Sequence, residues 1–156
     1  FRARHAAGRP VWVAASTHDG EEDQVLAAHR RVLADCPDAL LVLVPRHPQR
    51  FAAVADLVER AGFALVTRSS GAAAAPGTTV LLGDSMGELT TFYAAADVAF
   101  VGGSLVRIGG HNLLEPAALA LPIVTGPHNE NAADIAALMA ACGALEVRPD
   151  AAAVGD

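Results

Sequence analysis

Residues 102–116 read GGSLVRIGGHNLLEP. Two glycine pairs, Gly102-Gly103 and Gly109-Gly110, let backbone approach a ligand closely and take left-handed φ angles. The second pair opens a helix whose free N–H groups favour an anion. Asn112 stands at its start, as a cap or a phosphate donor. Glu115 lies one turn later, where a carboxylate can accept both hydroxyls of a ribose. The plainer account of the same spacing is a tight turn with Asn112 as N-cap and Glu115 as a first-turn partner of the helix dipole. The glycine-lysine-Ser/Thr ending of a Walker loop is absent.

Other segments have the same double character. Pro45-Arg46-His47-Pro48 leaves a continuous apolar run, and its prolines stiffen the turn that presents Arg46, a side chain suited to phosphate or a nucleobase edge. Its plain alternative is a solvated surface turn, with His47 a structural histidine. Ser16-Thr17-His18-Asp19-Gly20-Glu21-Glu22 reads as a helix start, with Thr17 or Asp19 as cap and Glu21 or Glu22 closing a capping box. The competing reading puts Ser16 and His18 at a cleft facing a second domain, where a sugar would sit. At Met86-Gly87-Glu88, Met86 can wall a base and Gly87 can bring backbone to its edge. Locally, Asp84 or Ser85 would cap the helix that follows.

Much chemistry is excluded. There is no Cys/His cluster for zinc, no H-E-x-x-H and no G-x-S-x-G, and nothing in the spacing supports a Ser104/His111/Asp84 triad. No acidic pair resembles an Asp-x-Asp clamp, so nucleotide binding is expected to need no metal. A net charge of −6 leaves no footprint for nucleic acid. Arg2, Arg4 and Arg9 read as solvated surface. Cys36 and Cys142 lack metal spacing and are expected to be reduced structural thiols of a cytosolic protein. Alanine inflates the 53% hydrophobic content, and no run nears the ~18–20 apolar residues of a membrane span. The first residues lack a signal-peptide pattern. Without an initiator methionine, the chain is expected to be an excised domain.

The elements that must position these residues alternate. Apolar runs at 11–15, 40–44, 63–67, 79–82, 98–101, 122–125 and 144–147 read as strands. Helical patterns cover 21–34, 51–61 (with Gly62 as C-cap), 89–95, 112–119 and 131–141, and 68–77 is a loop. Buried strands alternating with helices mean an α/β domain with a Rossmann-like, doubly wound parallel sheet. Ligands of such sheets bind beyond the C-terminal strand edges, which is where the distinctive residues fall.

Five stretches, in order, resemble the bacterial Kdo (3-deoxy-D-manno-octulosonic acid) transferases of lipopolysaccharide synthesis, glycosyltransferase family 30. They are WVAASTHDGEE (Trp12–Glu22), LVPRHPQRF (Leu43–Phe51), LLGDSMGEL (Leu81–Leu89), FYAAADVAFVGGSLV (Phe92–Val106) and GGHNLLEPAALALPIVTGPHNEN (Gly109–Asn131). The resemblance covers nearly everything from Trp12 to about Val147. It implies that residues 1–156 are the nucleotide-sugar-binding C-terminal half of a GT-B enzyme, one that moves Kdo from CMP-Kdo to the lipid A precursor without a cofactor. CMP contacts would come from Pro45 and Arg46, from Met86, Gly87 and Glu88, and from Asn112, Leu113, Leu114 and Glu115. Ser16, Thr17, His18, His47, Gly103, Ser104, Gly109, Gly110 and His111 would line the cleft or meet the donor sugar.

The family's catalytic base is a glutamate of the N-terminal acceptor domain, so no catalytic residue is expected here and the fragment alone should be inactive. The full-length enzyme would sit at the cytoplasmic face of the bacterial inner membrane, while this fragment would be soluble. Two departures stand out. Arg107-Ile108 replaces the family's proline near the second glycine pair, and the end at Asp156 precedes the family's closing helices. Two other readings compete: a GT-B-type UDP-sugar 2-epimerase and a non-catalytic Rossmann-like nucleotide-binding module.

Overall fold

In a computed structural model that describes residues 1–156, seven strands form one sheet. The chain runs through α1 (Arg2–His5), β1 (Val11–Thr17), α2 (Glu22–Asp35), β2 (Leu40–Pro45), α3 (Phe51–Arg60), β3 (Leu65–Thr67) and β4 (Val80–Leu82). It continues through α4 (Leu89–Ala95), β5 (Val98–Val101), α5 (Leu114–Ala117), β6 (Ile123–Thr125), α6 (Ala133–Ala141), β7 (Leu145–Val147) and α7 (Ala151–Gly155). The strand order is β3-β4-β2-β1-β5-β6-β7 and every pairing is parallel. From β1 the chain builds one side through β2 and β3, inserts β4 between those two, then returns to start the other side at β5. Beyond β1 and β5 lies the switch point where such sheets bind ligands.

The apolar runs are continuous because both faces of the sheet are covered. Trp12, Leu41, Leu43 and Phe100 pack on one face with Val25 and Leu26 of α2 and Val54 and Val58 of α3. Val13, Val42, Leu81 and Ala99 pack on the other with Phe92 and Tyr93 of α4. Val101, Ile123 and Leu145 close the far end with Leu113 and with Ala136 and Met139 of α6. The doubly wound architecture therefore matches the sequence reading, and Gly62 follows α3 with φ +81° as a C-cap glycine.

Several local expectations fail. The short strands lose a residue or two at their starts, and α1 and α7 carry no clear apolar period. The helix expected over 131–141 is a 3₁₀ turn at Glu130–Ala132 followed by α6. Arg2, Arg4 and Arg9 are not simply solvated. Arg2 pairs with Asp97 and bonds Ala95 O, Arg4 bonds Gly71 O, and Arg9 reaches Asp38 O and Thr78 O, tying the N-terminal segment to the sheet. Cys36 and Cys142 are free thiols, exposed at the ends of α2 and α6.

His29 is a fully buried histidine of this scaffold. Trp12 Nε1–H donates to its Nδ1 at 3.1 Å, and its Nε2 lies 2.9 Å from Thr79 O. Nδ1 must accept and Nε2 must donate, so the ring is neutral. Burial holds its pKa down to about 4, against 6.5 unperturbed. The unfolded chain therefore binds the extra proton between these values, and stability falls as pH drops from 6.5 to 4. The loss is about 3 kcal/mol from this residue. Urea unfolding of wild type and His29→Gln at pH 7.5, 5.5 and 4 checks this. The wild type should lose more stability on acidification than the variant, and equal losses would discharge His29 from the effect.

Candidate functional site

The rim begins with a distortion of β1. Ser16 has φ +57°, and the pairing with β2 slips there, so that Ala15 faces Val44 and Thr17 faces Pro45. A left-handed non-glycine residue in a bulge stores strain of about 1–2 kcal/mol and re-aims the residues that follow. Thr17 O accepts the Arg46 N–H at 2.9 Å, which fixes the proline-flanked turn beside the end of β1. Pro45 is buried, Arg46 is exposed and His47 is half-buried.

Arg50, the second arginine of this region, bonds Asp19 at 2.7 Å and Glu22 at 3.0 Å and acts as a strut. Thr17 is fully buried and its hydroxyl donates to Glu22, so it does not face the cleft as expected. Burial pushes the Glu22 carboxyl up, against the pull of Arg50 and Thr17. The expected capping box does not form, because both glutamates are engaged elsewhere and Glu21 stands at the cap position without a side-chain cap.

Glu21 is the residue that sequence reasoning missed. Fully buried, its carboxylate accepts the N–H groups of Gly103 (2.7 Å), Ser104 (3.0 Å), Leu105 (2.9 Å) and His18 (3.2 Å). Successive N–H groups of a glycine-rich turn make a concave anion nest. Here the nest after β5 is filled by the protein's own carboxylate. Ser104 is likewise fully buried, donating to Val101 O and accepting the Gly126 N–H. Gly103 and Ser104 thus hold the switch point together, where the sequence suggested cleft groups. The clue was a glutamate at the start of α2 beside a paired-glycine turn, but only the sheet order makes β1 and β5 neighbours.

From this knot the loop between β5 and α5 returns to the rim. Gly110 N–H donates to Gly103 O at 2.9 Å. Asn131 gives its backbone N–H to Gly109 O at 2.9 Å and its side-chain amide to Gly110 O at 3.1 Å. Both glycines are buried, so they shape the loop and leave His111 to reach the surface. A Cβ on Gly103 would lie 3.0 Å from the His111 ring.

His111 Nε2 is 2.6 Å from His18 Nε2, and the His47 ring sits edge-on to His18 with centroids 5.3 Å apart. Arg46 is near enough to act electrostatically on both His18 and His111. Burial, followed by His18, Arg46 and His47, holds His111 down to about 4. Burial also lowers His18, with Glu21 opposing and His47, Arg46 and Arg50 adding to the effect. Nitrogens 2.6 Å apart are too close to ligate one zinc ion at ~2.0–2.1 Å each with tetrahedral angles.

Further along the loop the expected long helix shrinks to α5, Leu114–Ala117. Asn112 Oδ1 accepts the Leu114 N–H at 3.0 Å, and its amide donates to Glu115 at 3.0 Å. Pro116 and the left-handed Ala120 (φ +56°) prevent a longer run. A helix this short carries little macrodipole, so the expected anion site at its start loses its main physical support. Leu113 is buried in the core, whereas Leu114 is exposed.

Beyond β4, Met86 is 66% exposed and Gly87 has φ +77°. Glu88 accepts from Ser85 at 2.5 Å and Arg68 at 2.8 Å, and these two bonds hold its carboxyl below the usual range. Neither Asp84 nor Ser85 caps α4. Asp84 instead accepts the Ser69 N–H at 2.8 Å.

The turns after β4, β2, β1 and β5 thus share one rim, with Arg46 and three imidazoles grouped at its centre. A cavity of about 450 Å³ lies at the opposite strand edges, lined by apolar groups such as Trp12, Val98 and Ile123. A second, of about 280 Å³, holds Arg107, Gly109, His128 and Asn131. Neither of these two gathers the Pro45–Arg46, Met86–Glu88 and Asn112–Glu115 segments.

No family model matches the chain. The 3-deoxy-D-manno-octulosonic acid transferase of Haemophilus influenzae is 50% identical over 147 residues, which is 94% of this chain and 34% of that protein. The solved C-terminal CMP-Kdo binding domain of WaaA from Acinetobacter baumannii superposes with a TM-score of 0.88 at 40% identity, over 92% of this chain and 75% of that one. The chain belongs to the Kdo transferase family. It spans about a third of the length of the curated Kdo transferases it matches.

The O-GlcNAc transferase of Thermobaculum terrenum, 20% identical over 96% of this chain and 27% of its own, shares only the fold, with a TM-score of 0.58. As a Kdo transferase domain of GT-B architecture, the chain sets aside the epimerase reading. Its family-like stretches mix two roles: Glu21, Glu22 and Asn131 are scaffolding, whereas Arg46, Met86 and Glu115 stay exposed. No helix is long and apolar enough to cross a membrane.

Proposed function

We propose that this domain binds CMP-Kdo along the C-terminal rim of the sheet and holds the donor phosphate while, in the complete enzyme, Kdo passes to the lipid A precursor. The observation that carries this reading is Arg46 at the switch point, whose exposed guanidinium has no protein partner. Charge grows on the phosphate as the sugar leaves, and a prepositioned cation stabilises that stage more than the ground state. With α5 so short, this task falls mainly on Arg46. Met86 and Gly87 face the base, Glu88 keeps that turn in shape, and Glu115 accepts from the ribose. No metal is required, because the cation is supplied by a side chain. The acceptor, its general base and attachment to the cytoplasmic face of the inner membrane belong to the rest of the full-length enzyme, so this chain binds donor without turnover.

Calorimetric titration of the chain with CMP, UMP and UDP tests the reading. CMP should bind and prevail over UMP and UDP. Arg46→Ala and Glu115→Ala should each weaken CMP binding by about 1–3 kcal/mol, the cost of a lost charged hydrogen bond. A preference for UDP, or CMP affinity unchanged in both variants, would refute it. The absence of any nucleotide binding would point to a non-catalytic module.

A further inference from the structure

The centre of the rim holds Arg46, His18, His47 and His111, and its nearby carboxylates are already committed. Glu21 accepts four backbone N–H groups, and Asp19 and Glu22 are paired with Arg50. The group is therefore a concentration of potential positive charge whose nearest carboxylate, Glu21, has no hydrogen-bonding capacity left for it. All three imidazoles are half-buried, so a ligand can still reach them.

The shortest contact in the group is informative. At 2.6 Å, His18 Nε2 and His111 Nε2 must share one proton, one ring donating and the other accepting. A second proton would set two N–H groups against each other, beside Arg46. In the unliganded chain the pair is consequently held to one shared proton and satisfied by itself. An oxyanion entering the rim reverses that balance: it accepts from both rings once each carries an N–H at Nε2, and its negative charge favours adding a proton at the accepting Nε2, giving one imidazolium, over merely shifting that ring's Nδ1 proton.

We propose that His18 and His111, flanked by His47 and Arg46, form a proton-coupled oxyanion site for the donor. This rests on the nucleotide-donor reading above and adds to it a stoichiometry: the anion binds together with one proton taken from solvent, and the imidazole pair becomes two N–H donors. The oxyanion is either the phosphate of the nucleotide or the carboxylate of the octulosonic acid sugar. The groups that bear on the titration are Glu21 at the start of α2, Arg46, His47 and Arg50 from the β2–α3 turn, and the two imidazoles themselves. Binding must tighten as pH falls from 8 to 6, by up to roughly tenfold per unit for one linked proton.

Free CMP is an unsuitable probe of the proton, since a phosphate monoester itself titrates near ~6. The methyl ester of CMP and CMP-Kdo do not. Calorimetry of each at pH 7, in two buffers of different ionisation enthalpy, should show uptake approaching one proton. Uptake with both ligands assigns the phosphate, and uptake with CMP-Kdo alone assigns the sugar carboxylate. His111→Gln and His18→Gln should abolish the uptake, with melting curves confirming that they fold. If both ligands bind the unaltered chain with no proton uptake and a flat pH profile, the proposal is overturned, with no variant needed. If nothing binds, the nucleotide reading beneath it fails instead, and the two failures are told apart.

Discussion

Replacing Glu21 with alanine should lower the unfolding free energy by about 4 kcal/mol, although the residue touches no ligand in the proposed function. Its carboxylate collects four backbone N–H groups, and Glu21, Gly103 and Ser104 are all buried. A buried donor left without a partner costs about 1–3 kcal/mol. Entry of water and some loop movement recover part of the sum, which brings it into the ~3–5 kcal/mol range for breaking one side of a buried charged network. For a domain with roughly 5–15 kcal/mol in total, such a loss approaches unfolding at ordinary temperature. Glu130, 69% exposed and paired only with His128, supplies the control. Glu130→Ala should stay within about 0.5 kcal/mol of wild type. Denaturant melts of the two variants decide the matter, and a Glu21→Ala loss below about 1 kcal/mol would mean that the nest fills readily with water.

Gly126→Ala is expected to cost about 3 kcal/mol or more, for a different reason. Gly126 lies just past β6, where its backbone N–H donates to Ser104 Oγ at 2.9 Å. A Cβ there would overlap Ser104 O and C and come within 2.6 Å of Leu105 N. All three are backbone atoms, so no rotamer change relieves the overlap. The β5 loop must move instead, which loosens the Ser104 bonds and the 3.0 Å bond from His128 N–H to Ser104 O. Overpacking in a side-chain core costs typically ~1–3 kcal/mol, and a rigid backbone neighbour puts this case at or above the top. Gly143 makes the contrast: nothing lies within 4 Å of a Cβ there, but its φ is +76°. Gly143→Ala should therefore cost only about 1–2 kcal/mol, from backbone strain. Similar losses in the two variants would show that the β5–β6 approach is soft. The Gly126 variant should also bind CMP more weakly, since His111 is carried on the displaced loop.

Both predictions converge on one construction. The end of β1, the start of α2 and the loops after β5 and β6 are bound to each other by buried polar contacts. That knot is what keeps His18, His111 and Arg46 in place at the rim.

The architecture was legible in the order of residue types alone. Short, branched apolar runs such as Leu40–Val44 read as strands covered on both faces, and their alternation with helical periods points to a doubly wound parallel sheet. Parallel strands send every strand-to-helix turn to the same edge, so Arg46, Met86, Asn112 and Glu115 were legible as rim residues. Which polar residues of those turns face solvent, and which face each other, emerged only once the chain was folded. Glu21 and Gly103 are 82 residues apart, and Ser104 and Gly126 are 22 apart. Local spacing cannot register such pairs, because it reports what a residue can do within its own turn. A glutamate at a helix start looks like part of a capping box, and a glycine pair looks like a phosphate cradle. Folding brought the two together and let each satisfy the other, since a buried carboxylate and buried N–H groups are far costlier apart than joined.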